Sequence, residues 1–174
     1  MTKDWWQDAI PADFDQGDIF ADVPFLETVH PVEPLTFTSM KGGAAGWMKA
    51  KTMPGAAKSS SWRVEGRLTY GVLLNHGCDL DKPTSKRCQL VAATLLSAFP
   101  QNQHDMIIDQ RSIPLMFLPG VPGLGDMVAD LRVLTTVPRT LINAGARVAA
   151  MTPDARLRLM AQLIEFYARR SAQE

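Results

Sequence analysis

The sequence predicts a mainly β fold, a small barrel of short strands with one α-helix at its C-terminal end. Three observations predict it. Between Trp62 and Leu134, apolar runs of strand length alternate with Gly-, Pro- and Asn-rich turn signals at short intervals. The last quarter of the chain carries a helix cap followed by apolar residues at helical spacing. The 174-residue chain is long enough for one buried core and short for two. A single domain over residues 17–174 is therefore expected, preceded by an acidic arm over residues 1–16.

The arm opens on Trp5-Trp6, and Pro11 interrupts any helix there after one or two turns, so it is expected to dock by its tryptophans. Gly17 marks a turn, and Asp18 to Val23 read as a short strand that Pro24 ends. From residue 26 to about residue 61 periodicity is lost among prolines, glycines and lysines, which predicts a long excursion between the first two strands, with a short strand at Leu35 to Ser39.

Regular structure returns at Trp62. Trp62 to Val64, Leu68 to Asn75 and Gln89 to Leu96 have strand composition. Pro100-Gln101-Asn102-Gln103 punctuates, Met106 to Ile108 and Ile113 to Leu118 are strand candidates, and Met127 to Leu134 follows the turn signal Pro119-Gly120-Val121-Pro122-Gly123. The closing helix, over residues 152–170, has Thr152 as its cap, Pro153 at its first position and Asp154 at the positive end of its dipole. Leu157, Met160, Ala161, Ile164 and Ala168 form one apolar stripe, expected to lie across the barrel or to seal an interface.

No run approaches the roughly 18 to 20 apolar residues of a membrane span. The N-terminus lacks an export signal, so a cytoplasmic protein without membrane contact is expected, its Cys78 and Cys88 as reduced thiols. The formal charge is zero but unevenly spread. Residues 1–40 carry a net −7, residues 41–87 a net +6, residues 88–130 a net −3 and residues 131–174 a net +4. A basic middle and tail attract a polyanion or an acidic partner, unless the acidic arm folds over them.

Three pieces stand in a recognisable order: Gly17-Asp18-Ile19-Phe20, then Tyr70-Gly71-Val72-Leu73-Leu74-Asn75 leading through a loop to Gln89-Leu90-Val91-Ala92-Ala93-Thr94, then Leu131-Arg132-Val133-Leu134-Thr135-Thr136-Val137-Pro138-Arg139. Together they resemble the MazF/PemK family of toxin-type endoribonucleases. The resemblance covers residues 14–26 and 67–166. It implies a small SH3-like β-barrel with an enlarged first hairpin loop and a C-terminal helix. It further implies a homodimer that cuts single-stranded RNA without a metal and is restrained by an antitoxin. Family members place an arginine just before the second strand and a threonine or serine at the start of the third. Here those positions hold Thr69 and Cys88. Arg67, two residues earlier on the same strand face, and Arg87 are the nearest substitutes.

Transphosphorylation needs a cation on the phosphorane and groups that move protons near the 2′-hydroxyl. Arg67, His76 and Asp79 are the candidate catalytic residues on that ground. The loop His76-Gly77-Cys78-Asp79-Leu80-Asp81 reads three ways: a turn closed by its aspartates, a catalytic or RNA-contacting loop, or a set of metal donors whose spacing fits no known pattern. No metal or other cofactor is assigned. A Cys–His nucleophile pair, Cys78 with His76 or Cys88 with His104, is a further arrangement without a local signature. Lys49, Lys51, Trp62, Arg63 and Arg87 combine positive charge with a flat stacking surface, the mixture of single-stranded RNA grooves, and are the candidate RNA-binding residues. The alternative is that Trp62 is core and the lysines solvate a loop.

Two functions follow. One is an RNA-binding barrel with endoribonuclease activity. The other is a barrel without catalysis that serves as a protein-interaction module, in a mobile element, a phage assembly or an inhibitor of a host complex, as Thr69, Cys88 and the Trp5-Trp6 arm suggest.

Overall fold

The computed structural model describes residues 5–31, 62–80, 82, 87–142 and 146–171. The fold is mainly β. Six strands, β1 (Ile19–Pro31), β2 (Trp62–Leu73), β3 (Arg87–Leu95), β4 (Leu115–Val121), β5 (Gly125–Pro138) and β6 (Arg147–Ala149), form one sheet in the order β4-β5-β3-β2-β1-β6. Three helices complete it: α1 (Gly77–Leu80), α2 (Gln101–Ile108) and α3 (Pro153–Ser171). The chain divides into two compact units, residues 1–23 with 69–174, and residues 24–68.

The pairings β1 with β6, β2 with β3, β3 with β5 and β4 with β5 are antiparallel. The sheet is not closed: among the described residues β4 and β6 stand at its two ends without pairing. β3 is its centre, and Leu90, Val91, Ala92 and Ala93 are all buried because both faces of this strand are covered. Its ladder with β5 is broken by a bulge. β5 advances from Asp130 to Leu134 while β3 advances only from Ala92 to Val91, and Asp130 accepts bonds from the backbone N–H and guanidinium of Arg132 across the gap. Bulges bend the strand that carries them and increase its twist.

The first unit is built around one apolar core that includes Ile19, Val72, Val91, Met116, Leu131 and Met151. Trp5 and Trp6 belong to it. The backbone of residues 5–7 lies beside residues 150–152: Gln7 N donates to the Ala150 carbonyl, Thr152 N to the Trp5 carbonyl, and Trp6 bridges to Met151. A second cluster, Leu96, Ile107, Leu115 and Val128, packs α2 against β4 and β5.

Several elements differ from the sequence reading. β1 does not stop at Pro24 but continues to Pro31, after Asp22 adopts a left-handed φ of 56°. A strand already irregular at that point tolerates a residue that cannot donate to the ladder. Met106 to Ile108 are helical, because Pro100 starts a helix rather than a turn, and only Ile107 needs to face the core. Trp62 to Leu73 form one strand where two pieces were expected. The strand expected at Leu35 to Ser39 lies outside the described residues.

α3 begins where expected, with Thr152 Oγ1 accepting from Ala155 N at 3.3 Å. Its buried face is different from the expected one. Ala155, Leu159 and Leu163 enter the core, while Leu157, Met160, Ala161, Ile164 and Ala168 point outward.

Candidate functional site

The loop that begins at His76 is anchored by the turn Asp15-Gln16-Gly17-Asp18. Gly17 takes φ +85°, open to glycine at little cost, and a Cβ there would meet Met151 Sδ at 2.6 Å. Asp18 Oδ2 accepts from Asp15 N, and Asp18 N donates back to the Asp15 carbonyl. The turn thus presents the Asp15 carboxylate outward. Its Oδ1 accepts from Gln16 N and from Gly77 N at 2.8 Å, and its Oδ2 pairs with Arg156 of α3. A pocket of about 330 Å³ results, lined by His76, Gly77, Arg156, Asp13, Asp15 and Phe14.

A buried ion pair holds the pocket residues Pro11, Asp13 and Phe14. Arg147 Nη1 lies 2.8 Å from Asp18 Oδ2, with 4% and 1% of the two side chains exposed. The same guanidinium donates to the carbonyls of Pro11 and Asp13 and stands 5.0 Å from the Phe14 ring centroid. One cation therefore organises residues 11–18. Burial pushes the Asp18 carboxyl above its ordinary range, against the opposing pull of the Asp15 N–H and of Arg147.

His76 is exposed at the pocket and its carbonyl accepts from Leu80 N, closing α1. Arg67 is exposed on β2 within the second unit, and the side chain of Asp79 lies outside the described residues. Of the RNA-binding candidates, Lys49 and Lys51 lie outside the described residues, as do the side chains of Trp62 and Arg63. Arg87 is exposed where β3 begins opposite Pro138.

Thr69 and Cys88, where the resemblance expects an arginine and a threonine or serine, have structural tasks. Thr69 Oγ1 donates to the Ala93 carbonyl at 3.1 Å. Cys88 is a free, fully buried thiol whose pKa burial pushes up, despite the nearby charge of Arg139. A buried, protonated thiol is a poor nucleophile. His104 Nε2 is bonded to the Phe99 carbonyl at 2.9 Å, so neither member of the Cys88–His104 pair is poised for attack. Among the described residues, no three His, Cys, Asp or Glu side chains gather as a metal site.

A different surface is conspicuous. Leu157 is 69% exposed, Ile164 64% and Tyr167 46%, with Met160 between them. Their spacing of three, four and three residues repeats every seven, the period of a helix seam. Beside them runs a groove of about 570 Å³ that also takes in Leu74, Gln89 and Leu134, the last 45% exposed on β5. The sequence reading found most of this stripe but not its direction. It missed Asp15, which the Asp15-Gln16-Gly17-Asp18 turn signal could have flagged as an anchor, and Arg156, for which no local signal exists. No protein-family model matches the chain, and comparison with curated proteins and with solved structures finds no match.

Proposed function

We propose that this chain is a divergent MazF/PemK-like, SH3-like barrel that works as a protein-interaction module, binding a partner's acidic amphipathic helix along the outer face of α3. The observation that carries this reading is the heptad-spaced apolar stripe Leu157, Met160, Ile164 and Tyr167 on a helix whose other face already fills the core. Exposed apolar residues in one contiguous row beside a groove mark a docking surface, and an amphipathic helix is the ligand shape that meets such a row. Asp130, Asp18 and Asp15 neutralise Arg132, Arg147 and Arg156, which reduces the net +4 of residues 131–174 to +1, and that remainder favours acidic flanks on the helix. The barrel part of the proposal is supported by the β5 bulge and by the tryptophan contacts between the sheet's two ends.

The test is site-specific photo-crosslinking from position 164, with light scattering for self-association. Recovery of one discrete partner through an acidic helix, lost in Leu157→Glu/Ile164→Glu protein of unchanged circular dichroism, supports the reading. A second copy of this chain as the sole crosslinked species, or capture that survives the double substitution, overturns it.

The endoribonuclease reading keeps one specific support: His76, a proton-transfer group, shares its pocket with the cation Arg156. It requires short single-stranded RNA to bind with strong salt dependence and to be cut by the wild type but not by His76→Ala. Intact RNA after prolonged incubation at low salt removes it.

A further inference from the structure

On the side of α3 away from the apolar stripe lies a cleft of about 590 Å³, within the size range of small-molecule sites. Arg158, Gln162, Glu165 and Arg169 reach it from α3 at intervals of four, three and four residues, one helix face. Opposite stands Arg111, whose backbone is fixed by the cap of α2. Arg111 N donates to the Met106 carbonyl and Gln110 N to the Ile107 carbonyl, the paired bonds of a Schellman motif. The left-handed position of that motif, usually glycine, is held here by Gln110 at φ 56°. The Gln110 side chain lines the cleft and donates to the Phe117 carbonyl.

Ile113 and Ala161 give the cleft its apolar surface, over the buried Trp5 and Met116. Arg158 lies over the Trp5 ring, 5.4 Å from its centroid, and among the described residues it has no carboxylate partner. Its planar fork is thus held by stacking with its donors left for a ligand. Arg111 and Arg169 are each paired with one carboxylate, Asp109 and Glu165, but in exposed pairs that a ligand anion can replace at little loss. Three guanidinium groups against the lining Glu165 and the adjacent Asp109 leave the cleft with a net positive charge, centred on Arg158. Gln162 directs its amide N–H groups at the carbonyls of Ile113 and Leu115, which leaves its oxygen, with Glu165, to accept from hydroxyl or amino groups.

We infer that this cleft binds a phosphomonoester of the nucleoside monophosphate class. The phosphate sits among Arg111, Arg158 and Arg169, the body rests on the apolar surface of Ile113 and Ala161, and Gln162 and Glu165 receive the ligand's donors. Bidentate recognition of phosphate oxygens is what clustered arginines supply and lysines do not.

Isothermal titration of the full chain with adenosine 5′-monophosphate, inorganic phosphate and adenosine tests it. The expected result is that the monophosphate binds at least tenfold more tightly than either fragment, with affinity falling as salt rises. Arg158→Gln should weaken it tenfold or more, and Arg111→Ala/Arg169→Ala should do the same in protein whose thermal unfolding is unchanged. Arg132→Ala, which is not in the lining of the cleft, should leave it alone. No heat up to millimolar ligand, equal affinity for inorganic phosphate, or full binding by both cleft variants would each overturn the assignment.

Discussion

The indole Nε1 of Trp6 donates a 2.7 Å hydrogen bond to the carbonyl of Pro119, joining the two ends of an otherwise open sheet. The backbone of Trp6 stands beside Met151, just past β6, while its side chain reaches β4 at the opposite end. An edge strand with unpaired backbone groups is a site for unwanted pairing, and the Trp6 side chain here covers part of β4. The N-terminal arm is thus a seam of the fold.

That seam sets the first prediction. Trp6→Ala removes a buried aromatic and leaves the Pro119 carbonyl without its donor, so a loss of about 3–5 kcal/mol is expected in urea unfolding. Trp6→Phe keeps most of the packing and should cost about 1–2 kcal/mol, chiefly from the unsatisfied carbonyl. Amide exchange along β4 should accelerate in both variants. Stability of Trp6→Ala within 1 kcal/mol of wild type would show that the arm docks without bracing the sheet.

The buried pair of Arg147 and Asp18 sets the second. Arg147→Ala strands a carboxylate in the interior and frees the carbonyls of Pro11 and Asp13, and removing one partner of such a pair typically costs about 3–5 kcal/mol. Asp18→Asn keeps the shape and the acceptor oxygen and should cost clearly less. Limited proteolysis should cut the first variant near residues 11–13 before the rest of the chain unfolds. Equal unfolding midpoints for the two variants would count against the ordering.

α3 offers an internal comparison. Leu159→Ala creates a cavity in the core and should cost about 2–5 kcal/mol, whereas Leu157→Ala, two residues away on the exposed face, should stay within about 0.5 kcal/mol. Denaturant titration of the two variants decides it. A large loss at Leu157 would mean that its surface is already buried, by a second copy of the chain.

The same helix shows what was legible in the sequence. Its cap, its first-turn proline and its length could be read directly, since each rests on local chemistry among neighbouring residues. Its orientation could not. Residues 155, 159 and 163 and residues 157, 160 and 164 both satisfy helical spacing, and the exposed set is the bulkier overall. Met106-Ile107-Ile108 looked like a strand because three adjacent apolar residues fit either period, and only their packing on Leu115 and Val128 decides for a helix. At the candidate site His76 was legible as a reactive side chain. Asp15 and Arg156, which complete its pocket, are separated by 141 positions, and no local pattern announces that they meet.

Cys88 supplies a prediction in pH. Its thiol is buried at the start of β3 opposite Val137, and desolvation holds its pKa in the folded chain above the usual thiol value. Between those two values the folded protein retains a proton that the unfolded chain has released. Stability therefore falls as pH rises through that window. Relative to Cys88→Ala, the wild type should show a constant stability difference below about pH 8 and a decline above it. Native protein should also resist alkylation at Cys88 until it is unfolded. Fast labelling of Cys88 in the native state, or a stability difference that stays flat up to pH 10, would place the thiol in water and refute its assignment to the core.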